Sequence, residues 1–226
     1  MTVNRRPFSA ACFGVVLYGL AACAAHSSRR VQDADAHFRM ATAALQQAGG
    51  IQNEVNRRAA YPELTQAIKL DPGFAEGHNS LGLIYLSQGK IAEAAAEFQK
   101  ALENLSYPTP EYAAYNLGKA SYQLKDFAVA AESYERSLAI LPNNPDARFE
   151  LGMSYAQLGR LADAEKAFTA ALQMRPDVAR TRYELGMVLF KLGRRSEAVV
   201  HFRRVVELDP AGDLGEQSRT YLKLLK

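Results

Sequence analysis

The chain has 226 residues, 48% of them hydrophobic, with 27 basic and 24 acidic side chains, four histidines and two cysteines. A net charge of only +3 excludes a basic field for nucleic acid, and a count of two cysteines says nothing about disulfides, a metal site or redox catalysis. The length is ample for one core or one continuous array of repeats.

After Arg5 and Arg6 an apolar stretch runs from Phe8 to Ala22, broken by Ser9 and two glycines. It falls short of the ~20 residues a membrane-spanning helix needs. A basic start, a short apolar core and small residues before a polar break describe a secretory signal peptide over residues 1–22. Leu20-Ala21-Ala22-Cys23 adds a more specific feature, because it resembles the bacterial lipobox. That resemblance implies cleavage before Cys23, diacylation of its thiol and usually a third chain on the new amino terminus. One acyl chain anchors a protein only marginally, whereas two or more hold it stably. The reading preferred over an incidental cysteine is therefore lipidation at Cys23, with residues 23–32 as a lipidated tether. Ala24, where lipoproteins kept in the inner membrane commonly carry aspartate, points to an outer-membrane anchor facing the periplasm. Loss of Arg5 and Arg6 lowers the net charge to +1, and Cys12 leaves with them. The lipid is the only non-protein group expected; no cofactor or metal is.

Residues 33–74 read as an irregular helix pair. A first helix over about 33–48 leads through Gly49-Gly50 to a second in which Ala60, Leu64 and Ala67 precede Pro72. Pro62 should shorten or kink that second helix. A strict pattern follows. Leu-Gly pairs stand at Leu81-Gly82, Leu117-Gly118, Leu151-Gly152 and Leu185-Gly186, spaced by 36, 34 and 34 residues. Each glycine is followed twelve residues on by Ala94, Ala130, Ala164 or Ala198, and then by Phe98, Tyr134, Phe168 or Phe202. Pro72, Pro142, Pro176 and Pro210 close units. The pattern resembles the tetratricopeptide repeat, which implies an all-α, right-handed superhelical solenoid of antiparallel helix pairs. The units are 33–74 (degenerate), 75–110, 111–144, 145–178 and 179–212. Their helices should fall at 75–88 with 91–104, 111–124 with 127–140, 145–158 with 161–174, and 179–192 with 195–208. Gly89, Gly159 and Gly193 supply left-handed stops to first helices, and Lys125 replaces that glycine in the second regular unit. Leu214, Tyr221, Leu222 and Leu225 give residues 213–226 the one-sided stripe of a capping helix.

No enzyme chemistry emerges. His26, His37, His78 and His201 have no metal-ligand spacing, and His78 falls at a packing position. There is no phosphate-cradling glycine loop and no nucleophile elbow, and the carboxylates are scattered over helix surfaces. What remains is binding. In the tetratricopeptide family the concave face is lined by the second, fifth, ninth and twelfth places of each first helix. Here the second places hold Tyr112, Asp146 and Arg180. The fifth hold Asn79, Tyr115, Phe149 and Tyr183; the ninth, Leu83, Lys119, Met153 and Met187; the twelfth, Leu86, Tyr122, Ala156 and Phe190. Aromatic rings offer area at low entropic cost, and methionine adapts its shape. The competing reading, in which the rings serve only the core, is less favoured because four rows share one register. A carboxylate clamp for acidic chain ends is disfavoured: Asn116 fits it, but Leu83, Asp146 and Glu150 stand where its other polar groups belong. A partly apolar protein segment, helical or extended, fits better than nucleic acid or a small molecule.

The 36-residue spacing places a two-residue insert within "NLSYPTPEYAAYNLGKA", residues 104–120. This stretch resembles one in the pilotins of type IV pilus assembly, where a Tyr-Pro turn precedes an Asn-Leu-Gly helix. Those are outer-membrane lipoproteins built of tetratricopeptide repeats, so the likeness spans essentially the mature chain. The irregular first unit, and five units where the family often has six, depart from it. The resemblance implies a protein that binds the pilus secretin and promotes its localisation and multimer assembly. A general envelope scaffold with another client, and an accessory subunit of an envelope enzyme, are the alternatives.

Overall fold

The computed structural model describes the backbone of residues 11–225 and the side chains of residues 28–225. Residues 1–10 of the expected signal peptide, and the lipobox side chains including Cys23, lie outside the described residues.

Eleven α-helices, with no strand among the described residues, follow one another as antiparallel neighbours. Helix α1 spans Ala11–Leu45, and a short 3-10 turn at Gly50–Gln52 leads to α2, Glu54–Leu70. The regular pairs are α3 and α4 (Ala75–Ser87, Ile91–Glu103), α5 and α6 (Pro110–Gln123, Phe127–Ile140), α7 and α8 (Pro145–Gln157, Leu161–Met174), and α9 and α10 (Ala179–Lys191, Arg195–Leu208). Helix α11, Asp213–Leu224, closes the described chain. Each first helix packs on its own second helix and on the second helix of the preceding unit, the arrangement of a tetratricopeptide solenoid.

The Leu-Gly…Ala…Phe pattern has a direct steric cause. A Cβ on Gly82, Gly118, Gly152 or Gly186 would stand 2.6, 2.7, 2.7 or 2.9 Å from the ring of Phe98, Tyr134, Phe168 or Phe202. All four rings are fully buried, so they have nowhere to retreat. The hydrogen atom at each glycine is thus what lets the second helix press its ring onto the first. Ala94, Ala130, Ala164 and Ala198, also fully buried, keep the same helix pairs close one turn earlier.

Prolines and caps punctuate the array. Pro110 and Pro145 occupy the first turns of α5 and α7, where no amide donor is lost. Asn144 accepts from the amides of Asp146 and Ala147 at 3.1 and 3.0 Å, fixing the start of α7. Lys125 adopts φ +63°, beside +74°, +73° and +78° at Gly89, Gly159 and Gly193. The lysine is exposed, so its side chain gains nothing for that backbone strain. Lys125→Gly should raise unfolding stability by about 0.5–1 kcal/mol, read as a higher urea midpoint at unchanged slope.

Two expectations are corrected. Pro62 does not shorten α2, which runs 17 residues through it. The proline and Arg58, whose carbonyl loses its helical partner, are both exposed, so water can satisfy that carbonyl. The first helix does not begin near residue 33, because α1 already includes residues 23–32. No glycine or proline lies between Gly19 and Gly49, so nothing local stops the helix. Among the described side chains packing starts at Ala34: residues 28–33 are exposed, and Ala34 and Ala41 are fully buried.

The two-residue insert is a packed plug rather than a slack loop. Tyr107 turns inward and is buried with Ala75, Phe98, Ala113 and Leu117, between the first two regular units. Asn104 binds the turn from both sides, donating to the Gly73 carbonyl at 2.7 Å and accepting from the Ser106 amide at 2.9 Å.

Candidate protein-binding groove

The row of first helices α3, α5, α7 and α9 brings the ladder residues onto consecutive rungs. Asn79, Leu83, Leu86, Tyr115, Lys119, Tyr122, Phe149, Met153, Ala156, Tyr183, Met187 and Phe190 are each partly buried, while Tyr112, Asp146 and Arg180 are exposed at the edge. Partial burial has a repeated origin. Tyr115, Phe149 and Tyr183 lean on Tyr134, Phe168 and Phe202, with ring centroids 5.7, 5.6 and 5.9 Å apart. The tyrosines of this set meet their partners edge-on, and the phenylalanine is tilted. Each ring therefore spends one face on the core and keeps the remainder accessible. Core and groove are two sides of the same side chains.

The rungs are not equivalent. In the first regular unit Asn79 replaces the ring, and Asn116 donates to its Oδ1 at 3.3 Å across the unit boundary. Asn116 is thus already partnered. At the other end Tyr221 of α11 covers part of the last rung: it lies 6.3 Å from Tyr183, 5.6 Å from Phe190 and stacks on Phe202 at 5.1 Å. The least obstructed stretch is the middle, from Tyr115 to Met153.

Charges there are mixed. Lys119 stands 5.8 Å from the Tyr115 ring centroid, and the Arg180 guanidinium 5.0 Å from that of Phe149. Arg175 pairs with Asp146. Pro145, Phe149, Glu150, Val178, Arg180 and Thr181, with that pair, border a recess of ≈ 190 Å³ between α7 and α9. Burial pushes the carboxyls of Glu150 and Glu184 up, while Arg180 draws both down, helped by Lys119 at Glu150 and Lys191 at Glu184. Glu184 is a groove residue that the register argument missed, because it occupies the sixth place of its helix. Its recurrence one repeat after Glu150 was the available signal. The tyrosine hydroxyls stay protonated near neutrality, since burial raises Tyr115 and Tyr122 further.

His78 is buried and bonded within its unit, to Glu97 at 2.6 Å and to the Pro72 carbonyl at 3.0 Å. His37 meets Glu63 at 2.6 Å. Among the described residues no three or more histidine, cysteine or acidic side chains gather as a metal site. Likewise no helix there is long and apolar enough to cross a membrane.

A row of half-buried rings and thioethers on stacked helix pairs defines a protein-interaction scaffold, and comparison with known proteins gives its class. One tetratricopeptide-repeat model matches residues 56–107 and 149–213, and another matches 117–177. The chain belongs to the tetratricopeptide-repeat family. Among solved structures, a crystal structure of MamA is 21% identical with a TM-score of 0.68, over 79% of this chain and 93% of its own. YrrB, described as a TPR protein with an unusual peptide-binding site, is 24% identical with a TM-score of 0.68, over 73% and 84%. PilW, described as a widely conserved type IV pilus biogenesis factor, is 25% identical with a TM-score of 0.62, over 84% and 97%. The first two likenesses carry the fold alone. No curated protein matches significantly.

Proposed function

We propose that this protein is an outer-membrane lipoprotein that binds the type IV pilus secretin and promotes its localisation and assembly into multimers. Acyl chains on Cys23 set its location, and the ladder from Asn79 to Phe190 holds a secretin segment. Its work is binding, with no catalytic step. The observation that supports this reading is the likeness to PilW, which extends over 84% of this chain and 97% of that one. The lipobox and the Tyr-Pro insert, now a buried plug at Tyr107, agree with it. A second reading is a scaffold for another envelope assembly, which would use the same groove of tetratricopeptide repeats for a different client.

The test is the heat- and detergent-resistant secretin multimer in outer membranes of wild type, a deletion strain and Cys23→Ala. Multimers should vanish in the deletion while secretin monomer is still made. They should fall sharply in Cys23→Ala, since a protein without acyl chains loses membrane binding. Unchanged multimers in both strains would leave the scaffold reading, with crosslinking from Tyr115 or Tyr183 to find its client.

A further inference from the structure

A second surface lies away from the groove, between α10 and α11. Arg195, Ser196, Val199 and Arg203 from α10 face Arg219, Leu222 and Lys223 from α11, with Leu225 at its C-terminal cap, across a cleft of ≈ 620 Å³. Its floor is aliphatic, with Val199, Leu222 and Leu225 half-buried, and four cations stand exposed around it. Other cations at α10 and its cap are paired. Arg194 bonds Glu165 and Glu197, both at 2.6 Å, and Arg204 bonds Asp177 and Glu207 at 2.8 and 2.7 Å. By contrast Arg195, Arg203, Arg219 and Lys223 meet no carboxylate among the described residues; Arg219 donates only to the Pro210 carbonyl, at 2.9 Å. The four cations of these two helices that meet no carboxylate among the described residues thus converge on one apolar cleft.

The repeat register shows what shape the cleft accepts. Helix α11 starts 34 residues after α9, so Arg219, Leu222 and Lys223 stand where α9 has Leu185, Val188 and Leu189. Those three are only 3%, 2% and 2% exposed, in one core cluster with Ala198 and Phe202 of α10. The corresponding face of α11 has no helix on it among the described residues. Two of its three apolar positions have become cations, while Leu222 keeps its aliphatic character. A cap built only for solvent would need neither the unpaired cations on α10 nor the shared aliphatic floor. From this juxtaposition we propose that the α10–α11 cleft docks an acidic amphipathic helix of a partner protein. The helix lies where the second helix of a further repeat would lie, its leucine-like stripe on Val199, Leu222 and Leu225 and its carboxylates on the four cations. This surface is separate from the groove, and its occupancy does not depend on the groove's client.

The probe is a fluorescein-labelled helical peptide of about 16 residues, long enough to hold a helix, with a leucine stripe flanked by glutamates. Binding to the full chain is followed by fluorescence anisotropy. Saturable binding should weaken as NaCl rises from about 50 to about 300 mM. It should fall at least about tenfold in Arg203→Glu/Lys223→Glu, and measurably in the neutral pair Arg203→Gln/Lys223→Gln. Both side chains are exposed, so thermal melts should match wild type. No saturable binding, equal binding by the double variants, or equal binding of a peptide with lysines for glutamates would each overturn the proposal. So would an equal loss in Lys119→Glu, which would move the peptide to the groove. Flotation with phosphatidylglycerol vesicles completes the test. If the double variants lose vesicle binding while peptide binding is unchanged, the cleft faces a membrane and not a helix.

Discussion

Phe168→Ala should lower unfolding stability by about 3–5 kcal/mol, the range for truncating a buried phenylalanine without collapse of the site. Collapse is blocked on both sides. The ring sits fully buried over Gly152, which has no side chain to move into the space, and the Phe149 centroid lies 5.6 Å away. Its place in the array adds a consequence beyond the energy. Repeat stability is a sum of unit and nearest-neighbour terms, so damage in the middle uncouples the halves. The urea transition of Phe168→Ala should therefore broaden as well as shift, whereas Phe202→Ala, in the last regular unit, should mainly shift it. Phe149 loses its backing in the same variant, so client binding through the groove should weaken even where the protein remains folded. A loss under about 1 kcal/mol with an unbroadened transition would contradict the packing described here.

A buried imidazolium at His78 should make stability fall as the solution becomes alkaline. Both ring nitrogens face groups that only accept: Nδ1 meets Glu97 Oε2 at 2.6 Å and Nε2 meets the Pro72 carbonyl at 3.0 Å. Satisfying both requires a proton on each nitrogen. Burial works against that cation, but the Glu97 and Pro72 hydrogen bonds outweigh it and hold the imidazole above its ordinary 6.5. Burial likewise opposes the Glu97 carboxylate, yet the bonds from His78 and Lys100 bring it below 4.5. The raised His78 contributes stability fully below its unfolded value near 6.5 and loses it as pH rises through the folded value. The lowered Glu97 contributes stability above about 4.5 and loses it as pH falls through its folded value. The pair is thus most stabilising between these limits.

Glu97→Gln should cost about 2–3 kcal/mol at pH 6, where a buried cation loses its counter-charge. The cost should shrink by pH 8.5, where a neutral ring can donate to the new amide oxygen. Nitrogen-15 NMR of wild type at pH 6 should show both ring nitrogens protonated. A neutral ring there, or the same cost at both pH values, would refute the assignment.

Much of the architecture was legible because the repeat restates it. The Leu-Gly pairs and the rings sixteen residues beyond them marked four helix pairs, and the Lys125 exception fell at a left-handed backbone position. The fold could be read from spacing because glycine and ring answer one steric demand, repeated at every helix pair. Local signals misled where the array was least regular. Pro62 was expected to shorten or kink α2, yet the helix runs on through it, with the proline and the carbonyl it leaves unpaired on the wet face. The first helix was expected to start near residue 33, although no glycine or proline stands between Gly19 and Gly49 to stop it beginning earlier.

The candidate site divides in the same way. Sequence by itself determined which residues recur at each place of the first helices, since helical period and repeat length set that register. It also determined that Cys23 follows a lipobox-like run. Only the tertiary structure decided how those residues are shared between core and groove. The lean of Tyr115, Phe149 and Tyr183 on second-helix rings arises between helices, and so does the closure of the last rung by Tyr221. The same holds for Tyr107 as a plug and for the cations gathered between α10 and α11. Periodicity states which face a side chain occupies. What lies opposite that face depends on residues one or two units away, and packing alone brings them together.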